Sequence, residues 1–292
     1  MSWIPQTNLG QYDWKCVAIN STGQYMIACI DNENFVFISN DYGNSWNAKC
    51  GQNFWSGVTM SSTGQYMVAC AGKEYNSLYV SNDYGNSWNI KGIQNSWTCV
   101  AMNADGQYII AGTSDSTLFL SSDYGETWIP CDTSNYWGKV SINSTGQYII
   151  ACGGNNLVIS SDYGKTWKYK ELGVLKSVAC SSTGQYMMTC ISGDNLYISV
   201  DYGETWNICS NIFGNMVENK RVLWNDVAIT ATDTRLFACS QEGIVCSSMD
   251  YGATWVIEKN DSSIHWLIIE TSAGGNPLIL GTQNNYVYVL SN

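Results

Sequence analysis

Only three prolines, two arginines and one histidine occur in 292 residues, and each shortage excludes something. Pro5, Pro130 and Pro277 fall near expected strand ends, where a missing backbone donor is tolerated, so the strands between them run uninterrupted. With His265 alone and no CxxC spacing, there is no ligand set for a metal, and no cofactor is expected. Basic charge is also scarce. Twenty-four acids against 13 bases give a net charge of −11, which repels phosphate backbones and anionic membranes and disfavours nucleic acid. The chain has no apolar run long enough to span a bilayer and no basic-then-apolar start of a secretory leader. It also shows no sustained helical period with caps, nucleophile elbow or phosphate loop.

What is present is a repeat. The octet Ser39-Asn40-Asp41-Tyr42-Gly43-Asn44-Ser45-Trp46 returns from Ser81, Ser121, Ser160, Ser199 and Ser248, closing each time on a tryptophan: Trp88, Trp128, Trp167, Trp206 and Trp255. Its acids Asp41, Asp83, Asp123, Asp162, Asp201 and Asp250 stand 42, 40, 39, 39 and 49 residues apart, a period typical of a propeller or solenoid. A second motif, Ser21-Thr22-Gly23-Gln24-Tyr25, runs in phase, with degenerate copies near Thr232–Arg235 and Ala273–Pro277 that bring the number of units to seven. A seventh octet is split: the chain ends on Ser291-Asn292 and begins Met1-Ser2-Trp3, so the two ends are expected to meet. Each unit reads as four short strands rich in β-branched and aromatic residues, bounded by Gly, Asn, Asp and Ser.

The octet has a local logic. Its Asp accepts turn N–H groups, its Gly supplies a positive φ, its hydroxyls add short-range bonds, and its Trp buries a ring at the start of the fourth strand. It resembles the Asp-box, or BNR-type, repeat of sialidases, sortilin-like receptors and photosystem assembly factors, over essentially the whole chain. The resemblance implies an all-β fold: a seven-bladed β-propeller of four-stranded antiparallel blades, with the N-terminal strand closing the last blade. One domain is expected over 1–292, with blades near 14–50, 55–91, 97–131, 137–170, 175–208, 224–258 and 266–292 plus 1–6. WD40 repeats are set aside because no Trp is followed by Asp. Lysine outnumbers arginine 11 to 2 and 29 asparagines are present, a bias that resembles propellers encoded by large DNA viruses of protists.

The same resemblance sharpens the functional question. Sialidases hold the substrate carboxylate with three arginines, and this chain has only Arg221 and Arg235. Xyloglucan-type Asp-box hydrolases use paired carboxylates between two propellers, and here there is one. The acids Asp13, Asp31, Glu33, Asp115, Asp194, Asp226 and Glu242 read as scattered loop residues. No catalytic residue is assigned. The twelve cysteines recur at strand positions and behave as small buried hydrophobes; Cys16 and Cys29 could face each other across a hairpin in the first blade, but no other blade repeats the pair, so no disulfide framework is expected. A reducing, intracellular compartment follows as the expectation.

Two candidate binding features remain, both on the face opposite the octets. Trp14, Trp55, Trp97, Trp137, Trp224 and Trp266, with Leu175 in the fifth unit, either pack between blades or form an aromatic ring at the channel mouth suited to sugars or a peptide. The insertion between Ile208 and Leu223 carries Phe213, Met216, Lys220 and Arg221. The sequence thus points to a non-catalytic protein-interaction scaffold. A glycan-binding propeller is the alternative and a glycoside hydrolase a distant third.

Overall fold

The computed structural model describes residues 2–30, 34–72, 77–115, 117–131, 133–191, 195–209, 222–232 and 235–291. Among them, the strands form seven four-stranded antiparallel sheets, and a single short 3-10 turn, Thr7–Leu9, is the only helix. The first blade is Trp14–Ile19, Met26–Ile30, Asn34–Ser39 and Asn47–Asn53, paired in that order. The innermost strands of the next six blades are Trp55–Met60, Trp97–Met102, Lys139–Ile142, Leu175–Cys180, Trp224–Ile229 and His265–Thr271. They line one central channel. The ring closes through its ends: Ser2–Pro5 pairs antiparallel with Tyr288–Ser291, Trp3 opposite Leu290, so the first residues become the outer strand of the seventh blade. Closure removes the exposed strand edge that an open array would carry.

Among the described residues, seven apolar clusters hold the ring, one at each blade-to-blade interface. Trp55 of blade two packs on Ile27, Cys29, Val36 and Ile38 of blade one. Trp97, Trp137, Leu175, Trp224 and Trp266 each do the same to the blade before, and Trp14 packs on Ile268, Ile279, Val287 and Val289 of blade seven. Each of these six tryptophans, and Leu175 in their place in blade five, is thus a wedge between two sheets.

The octet turns repeat with near-identical geometry. Ser39 Oγ donates to Asp41 Oδ1 at 2.9 Å and accepts the Gly43 N–H at 2.9 Å, while Asp41 accepts the Ser45 N–H at 2.8 Å and the Ser45 hydroxyl at 2.6 Å. The Trp46 indole N–H returns to Gly43 O at 3.2 Å. The same bonds recur from Ser81, Ser121, Ser160, Ser199 and Ser248. Glycine is not the only left-handed residue of the turn: the tyrosine before it also has positive φ, 62° at Tyr42 ahead of 83° at Gly43. Partial burial opposes ionisation of Asp41, but the Ser45 hydroxyl and N–H and the Ser39 hydroxyl outweigh it and hold the carboxyl below its ordinary value.

Candidate functional site

Of the two alternatives for the second tryptophan set, the structure shows packing between blades and not an aromatic mouth. Trp14, Trp55, Trp97, Trp137 and Trp266 are fully buried and Trp224 is 2% exposed, so no ring face of this set is free to stack a ligand. The cause is the wedge packing just described. Trp14 Nε1–H reaches Asn285 O at 3.0 Å, whereas the indole N–H groups of Trp97, Trp137 and Trp266 are buried without a partner among the described residues. The octet tryptophans Trp46, Trp88, Trp128, Trp167, Trp206 and Trp255 are only half-buried, and Trp3 lies 5.5 Å from Trp266, centroid to centroid. Phe213, Met216, Lys220 and Arg221 lie outside the described residues.

The channel is built by position along the innermost strands. The residue after each wedge forms the mouth on the inter-blade face: Lys15, Ser56, Thr98, Gly138, Lys176, Asn225 and Leu267. Three of them stitch neighbouring blades, because Ser56 Oγ–H donates to Trp97 O at 2.7 Å, Asn225 Nδ2–H to Trp266 O at 2.7 Å, and the Thr98 hydroxyl to Trp137 O. Lys15 and Lys176 are exposed, and Tyr136 beside them is 52% exposed. Below the mouth opens a cavity of about 390 Å³.

A charged network crosses that cavity, and the sequence reading missed it. Asp226, read as a loop acid, is instead an innermost-strand residue, 2% exposed. Lys139 of blade four reaches it at 3.2 Å; the Ser177 hydroxyl of blade five donates to its Oδ1; and the Ile269 N–H of blade seven donates to its Oδ2 at 2.9 Å. Four blades therefore meet on one carboxylate. Burial opposes the charge on Lys139, but Asp226 and then Glu270 outweigh it and raise its pKa. Glu270 stands where the other six blades place Ala18, Thr59, Ala101, Ser141, Ala179 and Ala228. Burial pushes its carboxyl up to about 7, against the pull of Lys139 and with the help of Asp226. Comparing the seven copies position by position would have flagged Lys139, Asp226 and Glu270 as charged residues among small or apolar ones. A pattern of strands and turns does not.

The octet face is regular by contrast. Backbone N–H groups of Ser21, Ser62, Ala104 and Ser144 each bond the equivalent carbonyl of the next blade, at 2.8–3.2 Å, around a shallow cavity of about 220 Å³. Outside this ring run tyrosine pairs: Tyr25–Tyr84, Tyr66–Tyr124, Tyr108–Tyr163, Tyr148–Tyr202 and Tyr186–Tyr251, with centroids 4.6–5.2 Å apart. At the seventh junction Pro277 occupies the position of the first tyrosine, and Tyr42 is left 55% exposed.

Comparison with known proteins agrees with this architecture. The model for the WD domain, G-beta repeat, matches residues 88–120, the outer strand of blade two and three strands of blade three, although the sequence reading had set WD40 aside. Comparison with curated protein sequences gives no significant match. Among solved structures, YCF48 bound to D1 peptide superposes with a TM-score of 0.75 at 12% identity, covering 100% of this chain and 94% of that one. YCF48 from Cyanidioschyzon merolae does so with a TM-score of 0.75 at 13% identity, covering 100% and 99%. At these identities the likeness is one of fold. The chain is a seven-bladed β-propeller.

Proposed function

We propose that this propeller, built on Asp-box repeats, is a non-catalytic scaffold that binds a protein partner at the inter-blade mouth of its channel. One observation carries the reading: the octet turn repeats intact in six blades, whereas the opposite mouth presents Lys, Ser, Thr, Gly, Lys, Asn and Leu at equivalent positions, beside exposed Tyr136. An asymmetric surface on a rigid symmetric scaffold discriminates one partner orientation from seven near-equivalent ones. The fold likeness to a propeller solved with a peptide supports it. The insertion carrying Phe213, Met216 and Arg221 belongs to the same reading as the one irregular interval of the repeat.

A catalytic reading draws less support. Both oxygens of Asp226 are occupied by Lys139, Ser177 and the Ile269 N–H, which is how a structural carboxylate is held. The aromatic ring that would have served sugars or a peptide is buried, so the six tryptophans support neither the glycan alternative nor a peptide stacked on them. We place the scaffold in a reducing compartment, because its cysteines pack as small apolar side chains, eight of them buried.

The test is capture of the partner from native extract, followed by binding measurements on two variants. One combines Tyr136→Ala with Lys176→Ala; the other replaces Phe213, Met216 and Arg221 with Ala. At least one should weaken binding by about tenfold or more, roughly 1.4 kcal/mol, while stability moves by no more than about 0.5 kcal/mol. Unchanged affinity in both removes the mouth as the docking site.

A further inference from the structure

Blade one differs from the others in one chemical respect. The second residue after the wedge and its cross-strand partner are Cys16 and Cys29, directly opposed in the register of Trp14–Ile19 against Met26–Ile30. In the other blades the same pair is Gly57 with Cys70, Cys99 with Gly112, Lys139 with Cys152, Ser177 with Cys190, Asp226 with Cys239, and Ile268 with Gly281. Only blade one places sulfur at both positions. Directly opposed residues of an antiparallel pair project to the same side with Cα atoms about 4.5–5.5 Å apart, inside the roughly 4.4–6.8 Å that a disulfide spans.

The two thiols are not equivalent. Cys29 is fully buried, whereas Cys16 is part-exposed and lines the channel cavity. Its S–H donates to Ser56 O of blade two at 3.0 Å. Of the thiols whose shift is resolved, only that of Cys16 goes down: a hydrogen bond from Cys29 does most, against burial, with the charges of Lys139 and Lys15 adding to it. Burial pushes the others up, Cys99 to about 11 and Cys131 and Cys209 to about 12. A channel-facing sulfur with a second sulfur behind it has the layout of an attacking and a resolving thiol.

We propose that Cys16 and Cys29 form a redox-active dithiol, oxidised to a disulfide by small hydroperoxides that enter through the central channel. The Cys16 thiolate attacks one peroxide oxygen, the O–O bond breaks, and the leaving hydroxide takes up the proton that Cys16 shed, giving water and a Cys16 sulfenic acid. The Cys29 sulfur then attacks the Cys16 sulfur, the S–O bond breaks, and the Cys29 proton leaves with the hydroxyl as a second water. Each sulfur loses one electron, and one hydrogen peroxide is reduced to two waters. Oxidation also removes the S–H that ties Cys16 to Ser56 O, loosening one inter-blade contact at the mouth.

The sequence makes the experiment direct, because no Lys or Arg lies between Cys16 and Lys49 and both thiols fall on one tryptic peptide that holds no other cysteine. The folded chain is treated with hydrogen peroxide at low molar excess, then denatured, alkylated, digested and mapped by mass spectrometry. The expected result is that the 16–49 peptide loses two hydrogens and two alkylation sites before any other cysteine reacts, and recovers both on reduction. In Cys29→Ala, oxidation should stop at a Cys16 sulfenic acid trapped by dimedone; in Cys16→Ala, Cys29 should stay alkylatable. Exposed Met249, 72% accessible, reports that oxidant was active. Full alkylation of the 16–49 peptide after Met249 has become sulfoxide would overturn the proposal, as would simultaneous loss of all cysteines.

Discussion

Six tyrosines stand at φ between 58° and 63°, a backbone region that costs a non-glycine residue roughly 1 kcal/mol. Five of them recover that cost by packing on the tyrosine ring of the preceding blade; Tyr42, whose equivalent partner position is Pro277, has no such ring. Replacing Tyr84 with Gly should therefore destabilise the fold by about 1 kcal/mol more than Tyr42→Gly, which should be neutral to within about 0.5 kcal/mol. Denaturant titration of the two variants measures the difference. Tryptophan gives a larger contrast. Trp55→Ala removes a fully buried wedge and should cost about 3–5 kcal/mol, whereas Trp46→Ala, half-buried and exposed at its rim, should cost less than half of that. The sequence expected a buried ring in the octet and left the Trp14 set between packing and exposure, because a periodic tryptophan reads the same wherever its side chain points. Glu270 was missed for a related reason: a single acid in a strand pattern looks like a solvent-facing residue. Its folded pKa of about 7 lies above the ordinary 4.5, so the unfolded chain ionises first and stability falls as pH rises from about 4.5 to about 7. Glu270→Gln should flatten that slope and gain about 1–3 kcal/mol at pH 8. The octet carboxylates act with opposite sign. They are held below 3.8, and their contribution is lost as pH falls through those lower values.

At the scale of the element, the closing strand is the decisive piece, and the split octet made it legible in full. Ser2–Pro5 supplies four backbone pairs to Tyr288–Ser291; the Gln6 N–H bonds Val287 O at 2.8 Å, and its side-chain carbonyl accepts the Trp46 indole N–H at 3.0 Å. Gln6 therefore ties the closing strand to blade one as well as blade seven. Deleting residues 1–6 should uncover the Tyr288–Ser291 edge, lower the melting temperature by on the order of 10 °C and promote association through the open edge. Calorimetry with light scattering checks both, and a truncated chain that melts like the parent would remove closure from the account. The strand pattern was readable because turn residues punctuate every unit. The channel chemistry was not, since Lys139, Ser177, Asp226 and Ile269 are far apart in sequence and converge only when the ring closes.

Over the whole molecule, seven similar interfaces close the ring, and the departures from the repeat are most numerous at one mouth and in the channel below it. The octet face carries repeated hydrogen bonds within turns and between neighbouring blades, whereas the opposite mouth keeps Lys176 and Tyr136 exposed beside a charged cavity. Partner binding should follow that division. Hydrogen–deuterium exchange of the chain, with and without its captured partner, tests this most directly. Added protection confined to residues 12–16, 135–139, 174–177 and 208–225 is the predicted result, and protection on the octet turns with none at those segments would contradict it.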